Sequence, residues 1–207
     1  MRTLYLLIFS IGCIQMGLSN YDLASASKDS LNILFIGNSL TYTNNLPQLV
    51  EQECQRRNMV ISSEMVALPN YALLDHWRDG QIQKMIRKGK FDYVFIQQGP
   101  SSQAWGREVL LEYGKKIRKL CDKHDSELIY LMVWASRTYY HTFDGVIKNH
   151  EDAARINGAL VCPVGKVWKS HFDATEDFSY YGADGFHPSM EGSLKAAELI
   201  VDCLGEL

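Results

Sequence analysis

From residue 31 onward the chain alternates short runs of β-forming residues with longer helical ones, and this alternation limits what it can fold into more than any single motif does. The β runs are LNILFIG (31–37), VISSEMVAL (60–68), YVFIQQ (93–98), ELIYLMVW (127–134) and ALVCPVG (159–165). Several are continuous apolar stretches rather than alternating ones, which is how strands covered on both faces read. Helical stretches lie between them at roughly 46–57, 73–88, 106–124 and 145–158, and a last one runs from about 189 to 206. In that last stretch Met190, Leu194, Ala197, Val201 and Leu204 recur at helical spacing, a stripe that must be covered by the sheet. The order predicts a three-layer α/β/α domain on a parallel five-stranded sheet, joined by right-handed crossovers. In such a sheet functional residues gather at the carboxyl ends of the strands, so each strand end is a place to look.

The chain has 207 residues and is 46% hydrophobic, enough for one domain with a sizeable core, here residues 31–207. Residues 1–19 stand apart from it. Arg2 is their only charge, residues 3–18 are almost wholly apolar, and small residues follow at Gly17, Ser19, Ala24 and Ala26. This is the layout of a secretory signal peptide, with 20–30 as a linker, and it predicts an exported protein: periplasmic, extracellular or surface-held. The apolar run is short for a membrane span, which needs about 20 residues. A lipid anchor on Cys13 is the alternative, since SIGC loosely resembles a lipoprotein signal, although Ser10 stands where such a signal usually has Leu.

Of the 21 basic residues Arg2 leaves with this segment, so 20 face 24 acidic ones with no basic run that would suit nucleic acid. Cys54, Cys121, Cys162 and Cys203 remain. Their wide spacing lacks the rhythm of a zinc site, three fall on helices and Cys162 on a strand, and either buried thiols or disulfides would fit.

Two strand-end strings carry chemistry. Ser39 follows the first strand in LFIGNSLTYT, where Gly37 permits a tight turn and presents the hydroxyl at the sheet's rim. A serine hydroxyl is a weak nucleophile unless a base takes its proton. Among six histidines, His124 and His150 lie in charged helical surroundings, while His141 and His171 sit in polar stretches without an obvious orienting acid. His187 differs: in DGFHPS, Asp184 stands three residues earlier in a loop pinned by Gly185 and Pro188. Such an acid can fold back onto the ring's other N–H and hold the tautomer that leaves Nε2 free as a base. Each string alone could be a plain turn. One directly after the first strand and the other directly before the last helix make a Ser–His–Asp set the better reading.

These two blocks resemble those of the SGNH (GDSL-like) hydrolases, and the likeness extends from ILFIGNSLT to DGFHPSMEGSLKAA, essentially the whole chain after the leader. The resemblance implies a flavodoxin-like sheet, Ser39 as nucleophile, His187 as base and then acid, Asp184 as its orienting carboxylate, and no metal or organic cofactor. It also implies an oxyanion site made of the Ser39 backbone N–H, a Gly N–H after strand two and an Asn side chain after strand three. Such donors are usually the largest catalytic term, about 3 to 4 kcal/mol each when removed. Here the chain departs from the pattern. LPNYALLDHW has no glycine after strand two, so Asn70 or Tyr71 would supply the N–H, and IQQGPSS offers Gln97 or Gln98 as the amide, with Ser101 as a third candidate. Successive strand residues point to opposite faces, so one Gln is expected to face the site.

Asn38, His76, Trp77 and Tyr181 are candidates to line substrate, although His76 and Trp77 suit ordinary packing equally well. Trp105, Trp134, Tyr139, Tyr140, Tyr180 and Tyr181 fall near strand ends or loops, where aromatic faces suit sugar rings or simply pack the rim. The expected function is a serine esterase acting on small acyl esters, O-acetyl groups of carbohydrates above all, with a small-molecule or glycan ester as its partner. The alternatives are a lipase-like acyl hydrolase, for which no long apolar lid is visible, and a catalytically weak carbohydrate-binding protein on the same fold.

Overall fold

The computed structural model describes residues 30–205. The leader assigned to 1–19, with Cys13, and the 20–30 linker up to residue 29 lie outside the described residues. The element order is β1 (Leu31–Gly37), α1 (Ser39–Tyr42), α2 (Leu46–Arg56), β2 (Ile61–Ala67), α3 (Leu73–Asp79), α4 (Gln81–Lys88), β3 (Tyr93–Ile96), α5 (Ala104–Asp122), β4 (Glu127–Leu131), α6 (Phe143–Asn157), β5 (Leu160–Cys162), α7 (Val164–Thr175) and α8 (Met190–Gly205). Short 3-10 turns cover Thr43–Asn45 and Arg137–Thr142.

The five strands form one sheet in the order β2-β1-β3-β4-β5, every pair parallel. Strand residues alternate between two cores. Ile33 and Phe35 of β1, Phe95 of β3 and Ile129 of β4 face a layer that includes Val50 of α2, Trp168 of α7 and Ile200 of α8. Leu34, Ile36, Val94 and Leu128 face the opposite layer, with Leu73 of α3, Ile82 and Ile86 of α4 and Ile117 of α5. All of these are essentially fully buried, each worth about 1.5–3 kcal/mol over the exposed side chain. A sheet buried on both faces is why β1 and β3 read as unbroken apolar runs. Edge strand β2 is covered far less: of its residues only Val66 is buried, and Met65 is exposed.

Several boundaries differ from those the sequence suggests, most of them by a few residues, as where the strand expected at 127–134 ends at Leu131. The 73–88 helix is two helices, broken at Gly80, whose φ of 75° a side chain would strain. The strand expected at 159–165 ends at Cys162, and Pro163 leads into α7, a helix the periodicity reading did not mark. Its stripe of Val164, Trp168 and Phe172 has helical spacing but aromatic and β-branched chemistry, which carries weak helix propensity and reads as strand or loop. Tertiary packing decides it, since Trp168 stacks on Trp134 with ring centroids 3.7 Å apart. Cys54, Cys121 and Cys162 are buried thiols, and the Cys203 thiol donates to Cys162 Sγ at 3.0 Å. Burial pushes the Cys54 thiol up to about 11 and Cys121 up to about 12, which keeps both protonated at neutral pH.

Candidate active site

In the strand order 2-1-3-4-5 the chain reverses direction across the sheet between β1 and β3, and the crevice at the carboxyl ends of those two strands is where this architecture binds ligands. Ser39, the first residue of α1, stands there at the end of β1. Asn38 caps the helix: its Oδ1 accepts from Leu40 N–H at 3.1 Å, and its Nδ2 donates to the Tyr71 carbonyl at 3.0 Å. The turn before it is tight. A Cβ on Gly37 would lie 2.3 Å from Thr41 Oγ1 and 2.5 Å from Gln97 Oε1, so only glycine lets α1 fold back over β1.

The other half of the site comes from the loop before α8. Asp184 Oδ1 accepts the backbone N–H groups of Phe186 and His187, both at 2.9 Å, and Oδ2 accepts His187 Nδ1–H at 2.6 Å. The contact with His187, followed by these backbone donors, holds the Asp184 carboxyl below its usual range, so it stays ionised. An ionised carboxylate fixes the proton on Nδ1, and the bare Nε2 accepts from Ser39 Oγ–H at 2.9 Å across 148 residues of chain. Ser39 and His187 are half-buried and Asp184 is exposed.

Contacts that no local string announces hold this loop against the extension of β4. Trp134 Nε1–H donates to the Phe186 carbonyl at 2.9 Å, Arg137 N–H to the Gly185 carbonyl at 2.8 Å, and Tyr181 Oη–H to the Ala135 carbonyl at 2.6 Å. Beneath them Trp134, Trp168, Phe172 and Tyr181 form a packed aromatic cluster. These residues act through the loop backbone, and their signal is visible only once β4, α7 and the loop are brought together.

A cavity of about 440 Å³ opens at Ser39, lined by Asn38, Asn70, Gln98, Ser101, Trp105 and Phe186 among others. Asn70 adopts a left-handed φ of 60° there, and Tyr71 joins it in the wall. The two glutamines part as strand geometry requires. Gln97 is buried behind the turn, its Oε1 accepting from Asn38 N–H and Thr41 Oγ1–H, both at 2.8 Å, and it does not line the cavity. Gln98 does line it, but both hydrogens of its Nε2 are committed, to Ser101 Oγ at 2.9 Å and the Gly106 carbonyl at 3.1 Å, while Oε1 accepts from Leu73 N–H.

Three residues read as substrate-lining sit elsewhere. His76 is buried under the turn, donating from Nε2 to the Gly37 carbonyl at 2.7 Å, and burial lowers its pKa, which suits a neutral donor. Trp77 packs against the α3–α5 core and Tyr181 against Ala135 and Phe172. Among the described residues no cluster of three or more His, Cys, Asp or Glu could hold a metal ion, and no helix is long and apolar enough to cross a membrane.

At the level of sequence no family model and no curated protein matches the chain. Solved structures do. The chain is similar to a protein from Slackia heliotrinireducens described as an SGNH hydrolase, at 21% identity and a TM-score of 0.73, over 85% of this chain and 100% of that one. It is similar to a lipase/acylhydrolase from Enterococcus faecalis, at 15% identity and a TM-score of 0.67, over 85% and 96% of the two chains. An acetylxylan esterase from Geobacillus stearothermophilus superposes at 17% identity and a TM-score of 0.64, over 84% and 94%. Likeness at these identities is likeness of architecture, and with the parallel 2-1-3-4-5 sheet it establishes that the chain has the α/β/α fold of the SGNH hydrolases.

Proposed function

We propose that the chain is a serine esterase that hydrolyses small acyl esters through an acyl-enzyme, with Ser39, His187 and Asp184 as its catalytic residues. One observation carries the reading: the unbroken relay of Ser39 Oγ to His187 Nε2 at 2.9 Å and His187 Nδ1 to Asp184 Oδ2 at 2.6 Å, at the rim where this fold exposes its ligand site. Ser39 Oγ attacks the ester carbonyl and gives its proton to His187 Nε2. The imidazolium, held by Asp184, then protonates the leaving alcohol oxygen as the C–O bond breaks. Water repeats the sequence in reverse roles, releasing the acid and restoring the Ser39 hydroxyl.

The oxyanion donors in this reading are the Ser39 backbone N–H and the backbone N–H at Asn70, which shares the cavity wall. Gln98 contributes less than a free amide would, since its hydrogens already bond Ser101 and Gly106. That commitment is the observation favouring a second reading, a weakly catalytic carbohydrate-binding protein. Two measurements separate them. Turnover of p-nitrophenyl acetate should fall at least about 10⁴-fold in Ser39→Ala, and equal turnover by the mutant would sink the nucleophile assignment. A fluorophosphonate should label the wild-type protein at Ser39, whereas a binder with an incompetent triad stays unlabelled.

For the ester itself we favour O-acetyl groups on carbohydrates, supported by the superposition on an acetylxylan esterase and by the small cavity at Ser39. Export, argued from residues 1–19, belongs to the same proposal.

A further inference from the structure

A second cleft, of about 830 Å³, adjoins the one at Ser39 and shares Pro100, Gln103 and Phe186 with it. Its walls include Asp184, on the far side of the imidazole from the oxyanion donors, and the segment from Ser136 to Thr142. Acyl transfer fixes which part of a substrate points each way. The acyl carbon bonds to Ser39 Oγ beside the first cleft, while the alcohol oxygen must reach His187 Nε2 to receive its proton, so the alcohol leaves on the imidazole side of the attacked carbon. The second cleft, joined to the first through Pro100, Gln103 and Phe186 and reaching Asp184, is the adjoining space open to a leaving group on that side.

Its chemistry is specific. Ser136, Thr138, His141 and Thr142 supply hydroxyl and imidazole groups, and Tyr139 contributes a ring that is 61% exposed. Of the rim aromatics, Trp134 and Tyr181 are buried in the packed cluster and Tyr140 is tied by its hydroxyl to Asp173. Tyr139 instead stands in the open, edge-on to His141 with ring centroids 6.4 Å apart. Yet its backbone is clamped on both sides: Ser136 Oγ accepts its N–H at 3.3 Å, and its carbonyl accepts Thr142 Oγ1–H at 2.7 Å. Arg137 N–H ties the same segment to the catalytic loop through the Gly185 carbonyl. An exposed aromatic on a fixed backbone is a preorganised platform. A long acyl chain laid here would strip water from the Thr138 hydroxyl and the His141 imidazole and offer them no hydrogen bond in return, whereas a polyol ring can bond both while its C–H face lies on the aromatic ring.

We propose that the cleft lined by Tyr139 and His141 binds the alcohol half of the substrate as a sugar ring, with Tyr139 as its specificity-determining platform. The proposal rests on the esterase reading, and the experiment separates the two. Acetate or acid release is followed for wild type and Tyr139→Ala with three esters: peracetylated xylobiose, ethyl acetate and ethyl hexanoate. The exposed position makes the substitution safe for the fold. The expected result is a loss of about 10-fold in kcat/KM for peracetylated xylobiose, carried by KM and equivalent to about 1.4 kcal/mol, with ethyl acetate changed by less than about 2-fold. A uniform loss on all three esters, or no change on any, overturns the platform assignment and leaves the esterase reading standing. A loss confined to ethyl hexanoate puts the acyl chain in this cleft and also overturns it. If the wild-type protein releases acid from none of the three, the esterase reading fails and takes the assignment with it.

Discussion

Asp184 makes three hydrogen bonds with two oxygens, and the division of labour between them sets what its removal should do. Oδ1 holds the loop backbone through Phe186 and His187, and Oδ2 holds the imidazole. Asp184→Asn keeps an oxygen for the backbone donors but turns the other acceptor into a donor, which no longer stabilises the Nδ1–H tautomer. We expect kcat to fall about 10³- to 10⁴-fold with an unchanged melting temperature; a loss of a few fold would show that the carboxylate does not orient the base. The candidate triad was legible because each half is a short string with its own turn chemistry. Gln97 and Gln98 were not separable in the same way. They are adjacent and chemically identical, and only the extended backbone just past β3, where Gln97 N–H still bonds the Ile36 carbonyl, sends one behind the Gly37 turn and the other into the cavity.

At the scale of elements, the site depends on one turn and one strap. Gly37→Ala would drive a methyl into Thr41 Oγ1 and Gln97 Oε1, and Gln97 is itself bonded to the backbone N–H of Asn38. Overpacking of this kind costs about 1–3 kcal/mol, read as a lower urea midpoint, and should displace Ser39 enough to reduce p-nitrophenyl acetate turnover more than stability alone explains. Trp134→Phe keeps the ring stacked on Trp168 but deletes the N–H to the Phe186 carbonyl. Its expected effect is a kcat about 10-fold lower with KM little changed, since a loosened base raises the barrier without touching substrate; a purely structural role would move the melting temperature and leave kcat alone. Neither contact has a signature in sequence, because each joins segments some 50 or more residues apart. The α7 helix escaped for a related reason: its residues prefer other local structure, and the stack of Trp168 on Trp134, just beyond β4, overrides that preference.

Across the whole molecule, stability should respond to acid through His150. Its ring is fully buried on α6, donating from Nδ1 to the Val146 carbonyl at 2.8 Å, while Nε2 has no hydrogen-bond partner among the described residues. Burial holds its pKa down to about 4. Above the ordinary histidine value neither folded nor unfolded chain binds this proton, so nothing is lost. Below it the unfolded chain takes up the proton and the folded one does not, so stability falls as pH drops from about 6.5 toward 4, by about 3 kcal/mol in total. Urea midpoints across that range should fall for the wild type and fall less steeply for His150→Leu; parallel curves would assign the acid sensitivity elsewhere.

The fold class was written in the alternation of β runs and helices, and the candidate nucleophile, base and acid in two short strings, because all of these are set by interactions within a few residues of chain. What joins Ser39 to His187 at 2.9 Å, ties Gln98 to Ser101 and Gly106, and leaves Tyr139 exposed while Trp134 and Tyr181 are buried is the packing of β1, β3 and β4 against distant loops. Those outcomes turn on which face a side chain presents and which backbone group it meets, and that is decided only when segments far apart in sequence share one sheet.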